Sequence, residues 1–457
     1  MSTSTLISER PGPGAPRPFR FPTFTRTTLD NGFTLITCNV PGRPLGSAYL
    51  VFEAGAVQEP AANAGAATLA ARLLTEGTEN FDATGFAETV ERLGAELHSM
   101  AGWEQIYVTA TAPMSRMEAV LDLVVEAGRR ATFPEREFER LRSERLNQIK
   151  QAFANPLQRA VMEFMATVYR ADSAYARPQG GTTETVGALT RDAVVEHYGT
   201  FATPASATLI VAGDLDGFPV EKITERLFGD WRAPEPNRTR PNTEEAFSGS
   251  KVTIVDRPGS VQSNMVLGHL GIPRSAPDYD AVDLMSYILG GSFNSRINAK
   301  LREEKGYTYG ARGFFDARRD AGPFMTFAPV ETSVTAPAAI DAVGEIRNLI
   351  DGGVTQEELD AARDYQTGIF ALRFETPEAI ANGIHEILLF GLDDDYFDTY
   401  GPTLESLTTD DVSRAARDHL RPDGTALIVC GDAEKIEASL KDANLGPVTV
   451  VEDPPLG

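Results

Sequence analysis

The chain has 457 residues, 42% of them hydrophobic, which is enough for folded cores and for about two or more domains. Acidic residues outnumber basic ones by 65 to 42, giving a formal net charge of -23. That balance excludes nucleic acid as a partner, because phosphate binding needs a basic surface, and favours basic peptides only weakly.

Two cysteines, Cys38 and Cys430, make no disulfide framework and suit a reducing compartment. No run of 18 apolar residues predicts a membrane span. Residues 1–23, rich in Pro, Gly and Arg, read as a flexible N-terminal arm. They carry no apolar core of a signal peptide, so a cytoplasmic location is expected. Apolar β-formers then predict strands at 33–37, 48–53 and 106–111. Helical periodicity predicts helices over 64–76, 84–94, 115–130 and 135–153. The last helix is long and charged, and Asn155-Pro156 should stop or kink it.

The segment from Leu189 to Asp214 returns without a gap 218 residues later, from Leu407 to Asp432, with ten of 26 positions identical. Each copy opens Leu-Thr-x-Asp and ends in a Leu-Ile-Val strand followed by Gly-Asp. Thr190 and Thr408 are the candidate helix caps. A second echo joins the charged helix after Pro134 to the one after Val354, each ended by a proline, Pro156 or Pro377. Between the copies, residues 233–248 hold three prolines and few apolar residues, and read as a linker. Two homologous tandem domains, 24–232 and 249–457, are therefore expected. Their fold class is α+β, each a mixed or antiparallel sheet with helices packed on one face.

Several motifs align with one family. They are Leu29-Asp-Asn-Gly-Phe33, Glu53-Ala-Gly-Ala-Val-Gln-Glu-Pro60, Val90-Glu-Arg-Leu-Gly-Ala-Glu-Leu97 and Val261-Gln-Ser-Asn264. The most specific are Leu289-Gly-Gly-Ser-Phe-Asn-Ser-Arg-Ile297 and Leu301-Arg-Glu-Glu-Lys-Gly-Tyr-Thr-Tyr-Gly310. Beyond the arm the chain resembles the pitrilysin family of inverted zincins, in its two-domain branch that includes the mitochondrial processing peptidase. Active members carry His-x-x-Glu-His on a helix, where two histidines one turn apart grip zinc. Here the framing Gly65 and Glu76-Gly-Thr78 are kept, but those three positions hold Thr68, Ala71 and Arg72. Gln148 stands about where the distant third ligand belongs, and Ser143 near another usual acidic position. Neutral or cationic side chains are poor zinc ligands, so no metal is expected in this chain. The five histidines, His98, His197, His269, His385 and His419, show no ligand spacing of their own.

The resemblance implies a non-catalytic subunit, inactive alone, that forms half of a clamshell with a zinc-bearing, HxxEH-containing sister subunit. In such pairs the zinc-free subunit lends an Arg and a Tyr to the partner's active site. The matching residues are Arg302 and Tyr309, with Tyr307 as a rival two positions away. Residues 293–305 read as a helix, Gly306 as its C-terminal cap, and a strand is expected from about Tyr307. Extended peptide, held along a sheet edge, is the expected substrate. The other expectations are a structural subunit of a larger complex and a homodimeric peptide-binding protein. Gly290-Gly291 lacks the rest of a phosphate loop, 393–395 lacks calcium-loop spacing, and no Gly-x-Ser-x-Gly nucleophile elbow occurs.

Overall fold

The protein is described by a computed structural model covering residues 19–453. In the first half, β1 (Phe24–Thr28), β2 (Thr34–Asn39), β3 (Leu45–Phe52), β4 (Glu96–Ala101), β5 (Ile106–Pro113) and β6 (Ala207–Gly213) form one sheet in the order β1-β2-β6-β3-β5-β4. In the second, β7 (Lys251–Asp256), β8 (Gln262–Leu270), β9 (Arg312–Phe315), β10 (Pro323–Glu331), β11 (Ala426–Gly431) and β12 (Val448–Glu452) follow the order β12-β7-β11-β8-β10-β9. The two sheets correspond strand for strand except at one edge. There β1 runs antiparallel to β2, whereas β12 runs parallel to β7.

The duplication seen in sequence is also present in space. Helices Arg191–Phe201 and Thr409–His419 have equal length and lie 218 residues apart. Each is capped as expected: the hydroxyls of Thr190 and Thr408 accept the N–H of Ala193 and Asp411, both at 3.2 Å.

Alternation along each strand sends side chains to two faces. In the first sheet Leu35, Leu50, Val108 and Leu209 face the half's own helices, Ala66–Leu73, Met117–Arg130 and Val220–Phe228. Ile36, Tyr49, Val51 and Ile210 point the other way and are also buried. What covers them is helix Pro377–Phe390 of the second half, through Ile380, Ile384 and Ile387. The exchange is mutual. Helix Pro156–Val168 of the first half packs on β8 and β11, placing Ala160, Phe164 and Val168 against Val266, Ile428 and Cys430. Both exchanged helices begin alike, with a proline at the first position and a capping side chain before it, Asn155 or Thr376. Burial on both faces explains the unbroken apolar runs of β6 and β11. It also disfavours both thiolates: burial pushes Cys38 up to about 12 and Cys430 to about 11.

Polar links reinforce the exchange. Arg319 makes two bonds to Glu53, at 2.5 and 2.9 Å, Glu53 accepts from Gln105 at 2.6 Å, and Gln105 meets His385 Nε2 at 2.7 Å. Asp453 accepts from Arg159 at 2.9 Å and from Arg257 at 2.6 Å. The segment 233–248 runs between the halves without a helix, bonding Thr239 N–H to Gln58 at 3.0 Å and Ala246 N–H to Val168 O at 3.0 Å. The N-terminal arm, expected to be loose over residues 1–23, is anchored at its end. Phe19 and Phe21 pack on Phe374, 5.6 and 5.0 Å between ring centroids, and Phe21 N–H bonds Asp398 at 2.8 Å. The aromatic spacing of those two residues outweighs the loop-forming composition around them; residues 1–18 lie outside the described residues. Among the described residues no helix is long and apolar enough to cross a membrane.

Two consequences can be measured. Phe164→Ala empties a fully buried site on the exchanged helix and should cost about 3–5 kcal/mol. Urea unfolding should remain one transition, because that helix belongs to both cores; two separate transitions would contradict the exchange. Burial holds His385 down at about 4. Between about pH 6.5 and 4 the unfolded chain therefore takes up a proton that the native state refuses, and stability falls as pH falls. His385→Gln should remove this term, so its stability relative to the parent should rise by roughly 2–3 kcal/mol from pH 7 to pH 4. Urea midpoints of the two proteins across that range give the answer.

Candidate functional site

Helix Ala66–Leu73 starts where Gly65 turns at φ +102°, a conformation that favours glycine. Its free N–H groups find the buried carboxylate of Glu59, which accepts from Gly65 at 3.1 Å and from Ala67 at 2.7 Å. Burial pushes Glu59 up to about 7, against the pull of those two N–H bonds and of Arg177. The helix is shorter than the expected 64–76. Within it only Thr68 and Arg72 are not fully buried, and they lie one turn apart on the face toward helix Glu135–Ala154. Ala71 is buried and apolar.

Arg72 reaches across to Glu144, Nη2 to Oε2 at 2.7 Å. Glu144 also accepts from Arg140 at 2.7 Å, and Arg140 pairs in turn with Glu76 at 2.7 Å and Glu137 at 2.6 Å. Arg72 first, then Arg140, holds the Glu144 carboxyl below the usual carboxylate range. Gln148 sits one turn beyond Glu144, exposed, with its Oε1 3.4 Å from Arg145 Nη1. The two helices therefore bring Thr68, Arg72 and Gln148 onto facing surfaces, but the set cannot hold zinc. A hydroxyl, a methyl, a guanidinium and an amide offer no strong ligand, and Arg72 places positive charge on the face where a cation would bind. Among the described residues no group of three or more His, Cys, Asp or Glu is placed to hold a metal ion.

The second constellation lies in the other half. Helix Arg296–Asn298 continues as the wider turn Ala299–Glu304, and Gly306 ends it at φ +66°. Arg302 lies 4.4 Å over the ring of Phe293, which is itself 66% exposed. Its Nη1 is 3.0 Å from Glu303 Oε1, while Glu304 is taken by Lys300 at 2.7 Å.

Two expectations are corrected here. The helix begins at Arg296 rather than 293, and the strand begins at Arg312 rather than near Tyr307. The cause is Thr308. Its hydroxyl donates to Pro329 O at 2.6 Å and accepts from Gly310 N–H at 3.1 Å, winding 308–310 into a turn. Tyr309 projects from that turn, 92% exposed, while its rival Tyr307 packs against the core. Buried Asn298, not singled out from the sequence, ties the pieces together. It donates to Phe293 O at 2.6 Å and accepts from Ala311 N–H at 2.9 Å, so the loops bearing Phe293 and Tyr309 share one anchor. Glu59 and Glu144 were also missed. A lone Glu six to eight residues before a helix, or within a charged helix, carries no distinctive spacing.

Two family profiles match in succession. Residues 35–182 match "Insulinase (Peptidase family M16)" and residues 188–365 match "Peptidase M16 inactive domain". An uncharacterized zinc protease of Streptomyces coelicolor is 25% identical, over 96% of this chain and 95% of that protein. One from Mycobacterium leprae is 26% identical, over 77% and 79%. A solved peptidase M16 inactive domain from Pseudomonas fluorescens superimposes with TM-score 0.82 at 23% identity, covering 90% of this chain and 98% of that one. A protease from Helicobacter pylori gives 0.83 at 20% identity, covering 90% and 100%. Matched in succession by both profiles over most of its length, the chain belongs to the pitrilysin-like peptidase family M16.

Proposed function

We propose that this chain is the non-catalytic subunit of a heterodimeric zinc metallopeptidase of the cytoplasm. Two domains, 24–232 and 249–457, joined by 233–248, form its half of the clamshell. A sister subunit bearing His-x-x-Glu-His supplies the zinc. One observation carries the reading: Tyr309, the residue matched to the family's tyrosine, stands 92% exposed, while the positions matched to the zinc ligands hold Thr68, Ala71, Arg72 and Gln148. A monomer has no evident use for a tyrosine so fully in water on a turn anchored at both ends.

Peptide hydrolysis at zinc builds negative charge on the scissile carbonyl oxygen, and fixed donors stabilise it. Arg302 offers a permanent charge and a fork of donors; Tyr309 offers a hydroxyl. Stacking on Phe293 limits the freedom of Arg302 before any partner arrives. An extended peptide is held by strand addition. The supporting feature is β4, an edge strand whose residues alternate between exposed and half-buried.

Cleavage of a reporter peptide should appear only when this chain is mixed with the zinc-bearing sister. Arg302→Ala should lower the rate of the mixture roughly 100- to 1,000-fold. Tyr309→Phe removes one hydroxyl from an exposed ring, so it should also slow the mixture while leaving the melting temperature unchanged. A sister fully active alone, and indifferent to this chain, would leave a structural role instead.

A further inference from the structure

Beside the emptied ligand positions, a cavity of about 270 Å³ opens between helices Glu135–Ala154 and Pro156–Val168 and the segment 178–184. Its walls are largely apolar, including Ile149, Phe153, Met162 and Pro178. Arg145 also lines it, and that guanidinium is poorly matched. Its Nε donates to Gly180 O at 2.9 Å and its Nη1 makes a long 3.4 Å contact with Gln148. No carboxylate among the described residues pairs with it; Glu144, the residue before it, is engaged by Arg72 and Arg140. Burial and the charge of Arg72 both act against its ionisation.

The other charges at the cavity are accounted for. Arg159 is matched by Glu163 at 3.0 Å and Asp453 at 2.9 Å. Glu184 is exposed and accepts from Thr183 at 2.8 Å. Gly180 is shaped to the arginine, since a Cβ there would lie 2.1 Å from Arg145 Nη2. The guanidinium therefore packs on the Gly180 backbone, in the space a side chain there would take.

We propose that this cavity binds a carboxylate carried on an apolar residue, the C-terminal end of a peptide. A partly buried, unpaired arginine gains most from a planar carboxylate, which it can grip with two parallel bonds. The apolar walls take the adjoining side chain, and the volume suits one or two residues rather than a folded segment. The net charge of -23 repels anions at long range, so selection rests on this local fork. The site needs no sister subunit.

The test uses the full chain alone and a fluorescein-labelled hexapeptide ending in leucine, as the free acid and as the C-terminal amide. Anisotropy titration at fixed ionic strength should show the acid binding at least about tenfold tighter than the amide, the size of one charge-assisted hydrogen bond. Arg145→Met should abolish the difference, and Arg145→Lys should restore part of it by returning the charge without the fork. Displacement by N-acetyl-leucine would show that one residue suffices; failure to displace would assign the site to longer peptide ends. Equal binding of acid and amide, or no binding of either, would overturn the proposal on the unaltered protein. So would an unchanged acid preference in an Arg145→Met protein of normal melting temperature.

Discussion

Each half of this protein covers one face of its sheet with its own helices and leaves the opposite face to a helix from the other half. An apolar sheet face left in water would be costly at about 25 cal/mol per Å², so neither sheet is complete without the exchange. The rest of the structure follows from that dependence. Glu53, Gln105, Arg319 and His385 are brought together because helix Pro377–Phe390 lies on the first sheet. Asp453 sits between Arg159 and Arg257 because helix Pro156–Val168 and its leading turn reach the second. The relative position of the two halves is fixed by cores rather than by the linker, and helix Ala66–Leu73 and the Arg302 loop keep a defined relation.

Helices Ala66–Leu73 and Glu135–Ala154 are joined by charge. Arg72 and Glu144 bridge them, and the pair extends through Arg140 to Glu76 and Glu137. Most of these side chains are partly exposed, so each pair contributes little on its own. Their value is in register: they tie Ala66–Leu73 to Glu135–Ala154 with charges that would otherwise oppose one another. Arg145, on the same helix as Glu144, has no acid to answer it among the described residues.

Much of the plan was legible in sequence. The ungapped 218-residue repeat located paired helices and strands, and threonine caps at 190 and 408 marked helix starts within a residue. Periodicity located Met117–Arg130 and Glu135–Ala154 closely. The exchange was not legible, because an apolar helix face does not say which sheet it meets. Strand β4 is not among the strands expected from sequence, because Glu96-Leu-His-Ser-Met-Ala101 has no run of apolar β-formers. The Gly306 cap leads to the expectation of a strand from about Tyr307, whereas the Thr308 hydroxyl bonds the local backbone and makes a turn there instead. The matching of Thr68, Ala71, Arg72 and Gln148 to ligand positions rests on the fixed spacing of the motif.

With Thr68, Ala71, Arg72 and Gln148 at the positions matched to zinc ligands, and Arg72 paired with Glu144, the chain should have no affinity for zinc of its own. Zinc content by elemental mass spectrometry, on the chain purified alone and dialysed against excess zinc and then buffer, tests this most directly. The expected result is no retained zinc, with Arg72 still holding Glu144. One equivalent of zinc per chain, lost on substitution of Arg72, Glu144 or Gln148, would contradict it.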